Sequence, residues 1–427
     1  MTTALLTDRY ELTMLSSALR DGTAERSCVF EVFARRLPDG RRYGVVAGTG
    51  RLIDAIAEFT FDAGTLESLR AADVVDDTAA EYLADYRFAG DIDGYPEGEL
   101  YLPYSPVLTV RGSFAEAVVL ETLVLSVLNH DCAVAAAAAR MVWAAGDRPL
   151  IEMGSRRTHE RAAVAAARAA YLAGFASTSN LEAAHSYGVP TAGTAAHAFT
   201  LLHDDERSAF AAQVAALGTD TTLLVDTYDI TRGIETAVEV AGTSLGAVRI
   251  DSGDLGVLAR QAREQLDRLG ATGTKIVVSG DLDEHAIAAL AATPVDAYGA
   301  GTAVVTGSGA PTAEMVYKLV EVDGRPVAKR SEHKGTQGGR KTALRGYKAT
   351  GTAVEEIVVA RADAEPADGQ RRLQRPLIRG GKPVPDLPTL EQSREHLRRA
   401  MVTLPWDGLK LSRGEPAIPT RLVPRAG

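Results

Sequence analysis

The sequence predicts an α/β protein built on an irregular, seven-stranded parallel α/β barrel, with a second, discontinuous α+β lobe. The main observation is a repeat between Leu150 and Tyr298, in which an apolar, strand-like run leads into a polar loop and then a helical stretch. The seven polar loops are EMGSRR (152–157), STSN (177–180), GTAAH (193–197), DTYD (226–229), RIDSGD (249–254), SGDLDE (279–284) and GAGT (299–302). In a barrel of parallel strands such loops share one rim, where barrel enzymes carry their reactive groups.

The two ends of the chain predict the second lobe. Residues 27–35 alternate as a strand does, and the two prolines within the β segment 101–112 favour a sheet edge. Residues 315–331 predict a β-hairpin, and the chain after the basic loop 333–341 shows few strand patterns. We therefore predict three regions, listed here in chain order: an N-terminal lobe (1–112), the barrel (113–310) and a C-terminal segment returning to the first lobe (311–427).

Composition restricts the class of protein. With 427 residues, 46% hydrophobic content and a net charge of −10, the chain predicts a globular enzyme and not a nucleic-acid binder. Two cysteines favour a reducing compartment, and the first residues show no signal peptide, so we expect a cytoplasmic location. The most apolar stretch, 115–145, carries five ionisable side chains and predicts a buried helix pair, not a membrane span.

Two of the polar loops are typical of phosphate sites. The SGDLDE and GAGT loops each join a strand to a helix, where glycine exposes backbone N–H groups to an anion. Adjacent late strands are also the usual barrel phosphate site. The alternative is structural: Asp281 or Asp283 caps a helix, and Gly299 and Gly301 serve a tight turn. The candidate phosphate-binding residues are Ser279, Gly280, Asp281, Gly299, Gly301 and Thr302.

The RIDSGD loop is the most specific motif. Asp251 and Asp254 flank a flexible Ser-Gly pair, an arrangement that suits a ribose diol or a Mg²⁺-bound pyrophosphate. Arg249 suits a carboxylate or a phosphate. The alternative is that Asp254 caps the next helix while the arginine makes a surface ion pair.

The remaining loops offer a histidine, further carboxylates and arginines. His197 follows a strand end in the GTAAH loop, Asp226 opens the DTYD loop, and the EMGSRR loop holds Glu152 and a pair of arginines, one of them expected to face outward. Lys329, Lys334 and Lys341 form a basic group that could close over phosphates. No Walker loop, GxSxG elbow or zinc-type Cys/His spacing occurs, so no residue is predicted as a metal ligand.

In their order and spacing these motifs resemble nicotinate phosphoribosyltransferase, the type II phosphoribosyltransferase family of NAD salvage. The resemblance runs from TDRYELTM (7–14) through the lysine loop and weakens after about Arg345. It implies that nicotinate and 5-phosphoribosyl-1-pyrophosphate give nicotinate mononucleotide and pyrophosphate, with Mg²⁺ as cofactor. It also implies an ATP-dependent ligase, in which ATP is a co-substrate coupled through a phosphorylated histidine.

The resemblance also implies roles for particular residues. His197 corresponds to the phosphorylated histidine, and Asp226 and Asp251 to catalytic-centre aspartates. Arg249 corresponds to the arginine that faces the acid group of nicotinate. Tyr10 corresponds to an aromatic residue that reaches the ring from a neighbouring subunit, which implies a homodimer with shared sites. The substrate-binding residues carried over are Tyr10, Met153, Arg156, Thr194, Arg249 and Asp254.

Two departures and three alternatives accompany this interpretation. Met153 stands where the family often has a ring-stacking Phe, and Gly338-Gly339 replaces a common Pro-Gly in the lysine loop. The chain could instead use nicotinamide or quinolinate. A barrel aldolase or isomerase acting on a sugar phosphate would need a base or Schiff-base lysine at a strand end. A non-catalytic nucleotide sensor would bind nucleotide without turnover.

Overall fold

Two units make up the chain in the computed structural model, which describes residues 2–329 and 337–424. The central unit is Ala137–Gly309, and the terminal unit combines Met1–Ala136 with Ala310–Gly427. The first division falls within a long helix, Glu121–Ala145.

The α-helices are, in chain order, α1 (Arg9–Asp21), α2 (Thr49–Ala57), α3 (Ala63–Ala71), α4 (Asp77–Ala84), α5 (Phe114–Val118), α6 (Glu121–Ala145), α7 (Glu160–Ala173), α8 (Leu181–Tyr187), α9 (His197–Leu202), α10 (Glu206–Leu217), α11 (Ile230–Ala241), α12 (Leu255–Arg268), α13 (Glu284–Ala289), α14 (Thr302–Val305) and α15 (Leu390–Met401). Short 3₁₀ helices cover Ala4–Leu6, Leu290–Ala292 and Trp406–Leu409.

The strands are β1 (Ser27–Ala34), β2 (Gly44–Val45), β3 (Asp91–Gly94), β4 (Leu100–Tyr101), β5 (Leu108–Ser113), β6 (Leu150–Glu152), β7 (Ser177–Thr178), β8 (Thr222–Leu224), β9 (Ala247–Ile250), β10 (Lys275–Gly280), β11 (Ala297–Ala300), β12 (Met315–Val322), β13 (Arg325–Pro326), β14 (Thr342–Tyr347), β15 (Ala353–Val359), β16 (Gln370–Arg372), β17 (Arg375–Arg379), β18 (Lys382–Pro383) and β19 (Thr420–Val423).

The central unit is an α/β structure around a parallel sheet. Its six strands lie in the order β7-β6-β11-β10-β9-β8, and every neighbouring pair is parallel. The predicted seventh strand, before the GTAAH loop, is reduced to one parallel bridge between Thr178 and Thr191. The Thr178 N–H donates to the Pro190 carbonyl. Pro190 has no N–H of its own with which to extend the strand pairing. The seven-stranded barrel is therefore not confirmed in the described residues, which form a six-stranded half-barrel sheet.

Aspartates in the polar loops begin several of the helices that cover this sheet. The side chains of Asp229, Asp254 and Asp283 accept backbone N–H groups at the starts of α11, α12 and α13. Such caps satisfy donors that have no partner within the helix. Glycine ends α7, α10 and α11, as the sequence predicts for the first two.

The terminal unit interleaves strands from both ends of the chain. Its largest sheet has seven strands in the order β13-β12-β1-β5-β3-β17-β18. The hairpin at Asp323-Gly324 is confirmed, because β12 and β13 pair directly and both turn residues have positive φ.

Two expectations for the terminal unit are wrong. Strand β5 lies inside its sheet, not at an edge, because the two prolines stand in the gap between β4 and β5 and remove no sheet hydrogen bond. The chain after Gly339 is not poor in strands: β14 to β19 all form there. Some of these strands have partners distant in sequence, as in the parallel pair of β15 with β19, which local pattern could not indicate. The pairs β14 with β15 and β17 with β18 are local, and the sequence analysis missed them.

Helices α5 and α6 carry the one stretch, among the described residues, that is long and apolar enough to cross a membrane. The most apolar 18-residue window of Phe114–Ala145 has a mean hydropathy of 1.5, and 67% of that window is buried within the protein. Its apolar surface therefore serves the core of the fold, as the sequence predicts, and not a lipid contact.

Arg345 lies at the centre of a buried ion network in the terminal unit. Its guanidinium donates to Glu99 Oε1 at 2.6 Å and to Glu356 Oε2 at 2.7 Å, and it is only 1% exposed. Burial alone would raise the pKa of Glu99, but the charge of Arg345, a hydrogen bond with His396 and the charge of Arg371 lower it well below its ordinary range. The positive charge of the arginine therefore offsets the cost of burying two carboxylates.

Replacing Arg345 with methionine should leave both carboxylates buried without their shared cation. We expect the free energy of unfolding to fall by about 3–5 kcal/mol, measured by chemical denaturation. Arg399→Met is the control, because Arg399 makes an exposed pair with Glu395 and should change stability by no more than about 0.5 kcal/mol. Equal effects from the two variants would contradict the proposed importance of the network.

Candidate functional site

The polar loops of the central unit surround one cavity of about 720 Å³. Every loop of the repeat except DTYD contributes residues to its wall. The lining residues are Met153, Ser155, Arg156, Arg157, Ser179, Ala192, Gly193, Thr194, Ala195, Ala196, His197, Ala198, Leu224, Arg249, Asp251, Ser279, Gly280, Asp281, Gly299, Gly301 and Thr302.

Of the fifteen residues predicted to be catalytic, substrate-binding or phosphate-binding, twelve lie in this wall and three do not. Asp226 lies behind the wall, with a side chain that is only 1% exposed. Asp254 caps α12 through the Val257 N–H, as its structural alternative predicted. Tyr10 belongs to α1 of the terminal unit, where burial and nearby carboxylates raise its pKa above the ordinary value.

Arg249 and Asp251 form a connected pair at the end of β9. The Arg249 guanidinium donates from Nη2 to Asp251 Oδ1 at 2.8 Å, from Nε to Ser279 at 2.7 Å and from Nη1 to Thr194 at 3.0 Å. Burial alone would raise the pKa of Asp251, but the Ser279 hydrogen bond and the Arg249 charge together lower it. Asp251 therefore stays ionised, and its Oδ2 makes no hydrogen bond with the described residues.

His197 is the first residue of α9, and its ring reaches two oxygen atoms of the DTYD loop. Nδ1 lies 3.1 Å from Thr227 Oγ1, within hydrogen-bonding distance, whereas Nε2 lies 3.9 Å from Asp226 Oδ1. If Nδ1 donates its proton to Thr227, Nε2 keeps a lone pair. The ring is partly exposed on the cavity side, so a histidine nucleophile is available there.

Asp226 holds the RIDSGD loop in place from behind. Its Oδ2 accepts from the Asp251 N–H at 2.9 Å and from the Ser252 hydroxyl at 2.8 Å. Its Oδ1 is buried and has no hydrogen-bond partner within the described ranges. A buried carboxylate oxygen without a donor is costly, and such atoms are concentrated at functional sites.

The two phosphate-type loops lie side by side, because β10 pairs with β11. Asp283, not Asp281, caps α13, so Asp281 remains in the cavity wall. Gly280 has φ +138°, a conformation that favours glycine. A Cβ on Gly299 would lie 2.8 Å from the Met153 sulfur, so a larger residue there would displace the end of the methionine side chain.

Sequence reasoning missed several wall residues. Arg157 lines the cavity beside Arg156, although one arginine of this pair was expected to face outward. Ser179 and Ser155 line it as well. Thr227, which is not among the predicted site residues, contacts His197. Their position in the polar loops was the available signal, but the direction of each side chain depends on packing.

Lys341 does not take the place expected for it in the basic group of the lysine loop. Lys341 is buried in the terminal unit, where its Nζ donates to Glu31 at 2.6 Å and to the Gly339 carbonyl at 2.9 Å. It is therefore committed to a structural ion pair and unavailable to phosphates. Lys329 is exposed, and Lys334 lies outside the described residues.

Glu206, the first residue of α10, has a strongly perturbed carboxyl group. Burial, together with the negative charges of Asp229 and Asp226, raises its pKa from 4.5 to about 7. Its Oε1 is buried without a hydrogen-bond partner among the described residues. Nearby on α10, Asp205 caps the helix and Arg207 is paired with Glu239.

This raised pKa predicts a pH-dependent loss of stability. Between about pH 4.5 and pH 7 the folded state binds more protons than the unfolded state, so stability falls as pH rises through this window. The glutamine of Glu206→Gln cannot ionise. The melting temperature of this variant minus that of wild type should therefore be roughly 1–3 °C larger at pH 8 than at pH 5. Melting curves at both pH values check this, and an equal difference at both would contradict it.

Two family models match this sequence, and together they cover most of it. Residues 5–129 match the nicotinate phosphoribosyltransferase (NAPRTase) N-terminal domain, and residues 134–309 match the C-terminal domain of quinolinate phosphoribosyl transferase. The second match includes every residue of the cavity wall.

Similar proteins extend over nearly the full chain. Nicotinate phosphoribosyltransferase pncB1 of Mycobacterium tuberculosis is 66% identical over 98% of this chain and 95% of its own length. The pncB2 protein of the same organism is 39% identical over 94% of this chain and 88% of its own. The crystal structure of human nicotinic acid phosphoribosyltransferase has a TM-score of 0.84 at 26% identity, covering 98% and 97% of the two chains.

Proposed function

Because this chain belongs to the nicotinate phosphoribosyltransferase family, we propose that it joins nicotinate to 5-phosphoribosyl-1-pyrophosphate in NAD biosynthesis. The products are nicotinate mononucleotide and pyrophosphate. The observation that carries this proposal is the cavity of the central unit, where arginines, an ionised aspartate and two phosphate-type loops share one wall.

The chemistry of the reaction fits the charges in this wall. The nitrogen of nicotinate attacks the ribose carbon that bears pyrophosphate, and the sugar carries positive charge as the bond to pyrophosphate breaks. The ionised Asp251 supplies a negative charge that stabilises this sugar. The nicotinate nitrogen has a free lone pair, so the reaction needs no general base.

Arginines and backbone groups are suited to the anionic parts of the substrates. Each guanidinium nitrogen of Arg249 donates one N–H to a protein partner. One further N–H on each of the two terminal nitrogens can therefore donate to the nicotinate carboxylate. We assign the 5′-phosphate to the SGDLDE and GAGT loops. Since α13 and α14 are only 6 and 4 residues long, their backbone N–H groups and hydroxyls matter more than helix dipoles.

We propose Mg²⁺ as the cofactor for pyrophosphate. Among the described residues, no group of three or more His, Cys, Asp or Glu side chains is arranged to hold a metal ion. This fits Mg²⁺, which is usually held by one or two carboxylates together with substrate phosphates. Asp251 would provide a ligand through its unbonded Oδ2. When bound, Mg²⁺ neutralises charge on the departing pyrophosphate.

ATP coupling is proposed to proceed through His197. The nucleophilic Nε2 accepts the γ-phosphoryl group of ATP, ADP leaves, and water later releases phosphate from the histidine. With Nδ1 donating its proton to Thr227, Nε2 would carry the lone pair that this step requires. The phosphorylated ring adds about two negative charges at the cavity wall, which would tighten binding of magnesium-bound substrate.

Quinolinate is the second candidate substrate, because residues 134–309 match the quinolinate phosphoribosyl transferase domain. Quinolinate has a second carboxylate and must lose CO₂, so it would need further unpaired cations. Arg156 and Arg157 both line the cavity and could meet that need. The two relatives compared over nearly the full chain are instead nicotinate phosphoribosyltransferases, which favours nicotinate.

The proposed assembly is a cytoplasmic homodimer with shared sites. Tyr10 is 44% exposed on α1, so an aromatic ring is available to a second copy of the chain. A sedimentation measurement of the mass in solution tests the dimer.

The proposed activity is tested by incubating the protein with nicotinate, 5-phosphoribosyl-1-pyrophosphate and Mg²⁺. We expect equal amounts of pyrophosphate and nicotinate mononucleotide, identified by mass spectrometry, and no product after chelation of Mg²⁺. Absence of the mononucleotide under all conditions would contradict the proposal and favour the sugar-phosphate or nucleotide-sensor alternatives.

A further inference from the structure

Glu152 is a buried carboxylate behind the cavity wall. It ends β6, and its residue exposure is 1%. Its Oε1 accepts the Gly154 N–H and its Oε2 accepts the Thr178 hydroxyl, both at 2.5 Å. These two groups are its only side-chain partners within the described part of the chain, and neither is a cation. Burying a carboxylate without a counter-charge is costly, so this arrangement requires a reason beyond packing.

The two partners belong to different polar loops. Gly154 is in the EMGSRR loop and Thr178 in the STSN loop, so the carboxylate connects them. Further hydrogen bonds run between the same loops: the Ser179 N–H donates to the Glu152 carbonyl at 2.8 Å, and Asn180 Nδ2 donates to Ser155 Oγ at 3.0 Å. Glu152 is the only charged group within this connection among the described residues.

In addition to this connection, the start of the EMGSRR loop is tightly packed. A Cβ on Gly154 would lie 2.2 Å from Val305 and 2.8 Å from Glu152 Oε1, so the backbone packs directly on both. A turn then follows, in which the Arg157 N–H donates to the Gly154 carbonyl at 2.8 Å. The next residues, Ser155, Arg156 and Arg157, line the cavity. The direction of both arginines therefore depends on the turn that Glu152 begins.

We propose that Glu152 is a positioning residue, whose carboxylate ties the EMGSRR loop to the STSN loop and so holds Arg156 and Arg157 at the cavity wall. The role rests on the proposed function, because these arginines would bind the anionic substrates. Burial raises the pKa of Glu152, only partly offset by the hydrogen bonds from Thr178 and Gly154.

The test compares variants of Glu152 by steady-state kinetics. Glu152→Ala should raise KM for nicotinate or for 5-phosphoribosyl-1-pyrophosphate by about tenfold or more, with a smaller change in kcat. Glu152→Gln can still accept from Gly154 and donate to Thr178, so it should restore most of the affinity. Thr178→Val removes one of the two donors and should raise the same KM, which keeps the test open if Glu152→Ala does not fold.

A structural control separates positioning from lost stability. Gln213 is buried in the same unit and hydrogen-bonds to Thr221 and Thr222 at the start of β8, away from the polar loops. Gln213→Ala should lower the melting temperature without changing either KM. An unchanged KM in folded Glu152→Ala, or an equal rise in Gln213→Ala, would overturn the proposal.

Hydrogen exchange tests the same role without relying on activity. Peptides covering 150–158 should lose amide protection in Glu152→Ala and keep it in Gln213→Ala. If Glu152→Ala loses protection but the wild type has no transferase activity, the connection between the loops is real and the proposed function is wrong. Unchanged protection in Glu152→Ala would overturn the positioning role whatever the activity.

Discussion

Replacing His197 with alanine should abolish the stimulation of nicotinate mononucleotide formation by ATP. The ring supplies the only histidine nitrogen in the described cavity wall, so no other histidine there can accept the phosphoryl group. We expect the ATP-dependent increase in rate to fall at least about tenfold, which is about 1.4 kcal/mol. Rates measured with and without ATP, together with acid-labile ³²P incorporation from γ-labelled ATP, give the result.

The matched control is His185→Ala. His185 lies on α8, is exposed, and does not line the cavity. It should keep wild-type stimulation by ATP and wild-type labelling. Full ATP stimulation in His197→Ala would contradict the phosphohistidine role while leaving the basic transfer reaction untouched.

Replacing Asp251 with asparagine should reduce kcat by about 10²–10³-fold, or roughly 3–4 kcal/mol. The amide oxygen can still accept from Arg249 and Ser279, so the hydrogen bonds are kept while the negative charge is lost. Stability should therefore change little, because α12 is capped by Asp254 and not by Asp251. Steady-state kinetics and a melting curve on the same sample check both parts.

Asp205→Ala is the control in which stability, and not turnover, is expected to change. Asp205 caps α10 through the Ser208 N–H at 2.7 Å and does not line the cavity. Its loss should cost about 1 kcal/mol of stability and leave kcat unchanged. If Asp251→Asn lowered the melting temperature as Asp205→Ala does and retained turnover, Asp251 would be a structural residue.

The sequence predicted the elements whose signals are local. Helices such as α7 and α10 show aspartate or polar starts, helical spacing and a terminal glycine, and the structure confirms them. Six of the seven polar loops follow strands of one parallel sheet, and five of these six line the cavity, so the meeting of most loops there followed from topology. The signals that failed were those that depend on distant partners.

Strand β17 shows this limit, since one of its two partners, β3, lies about 280 residues earlier in the chain. The local sequence pattern also could not predict the direction in which a side chain points. Lys341 turns into the terminal unit to meet Glu31, and Glu152 turns away from the cavity to join two loops. Asp283 and Asp281 stand two positions apart in one loop, yet one caps a helix and the other lines the cavity.

The central claim is that the cavity of the central unit transfers phosphoribosyl groups to nicotinate with ATP coupling. The most direct test is product formation by HPLC from 5-phosphoribosyl-1-pyrophosphate and Mg²⁺, offering nicotinate, nicotinamide and quinolinate separately, each with and without ATP. We predict that nicotinate mononucleotide forms preferentially from nicotinate, and faster with ATP. No mononucleotide from any acceptor, or a preference for quinolinate with release of CO₂, would contradict the claim.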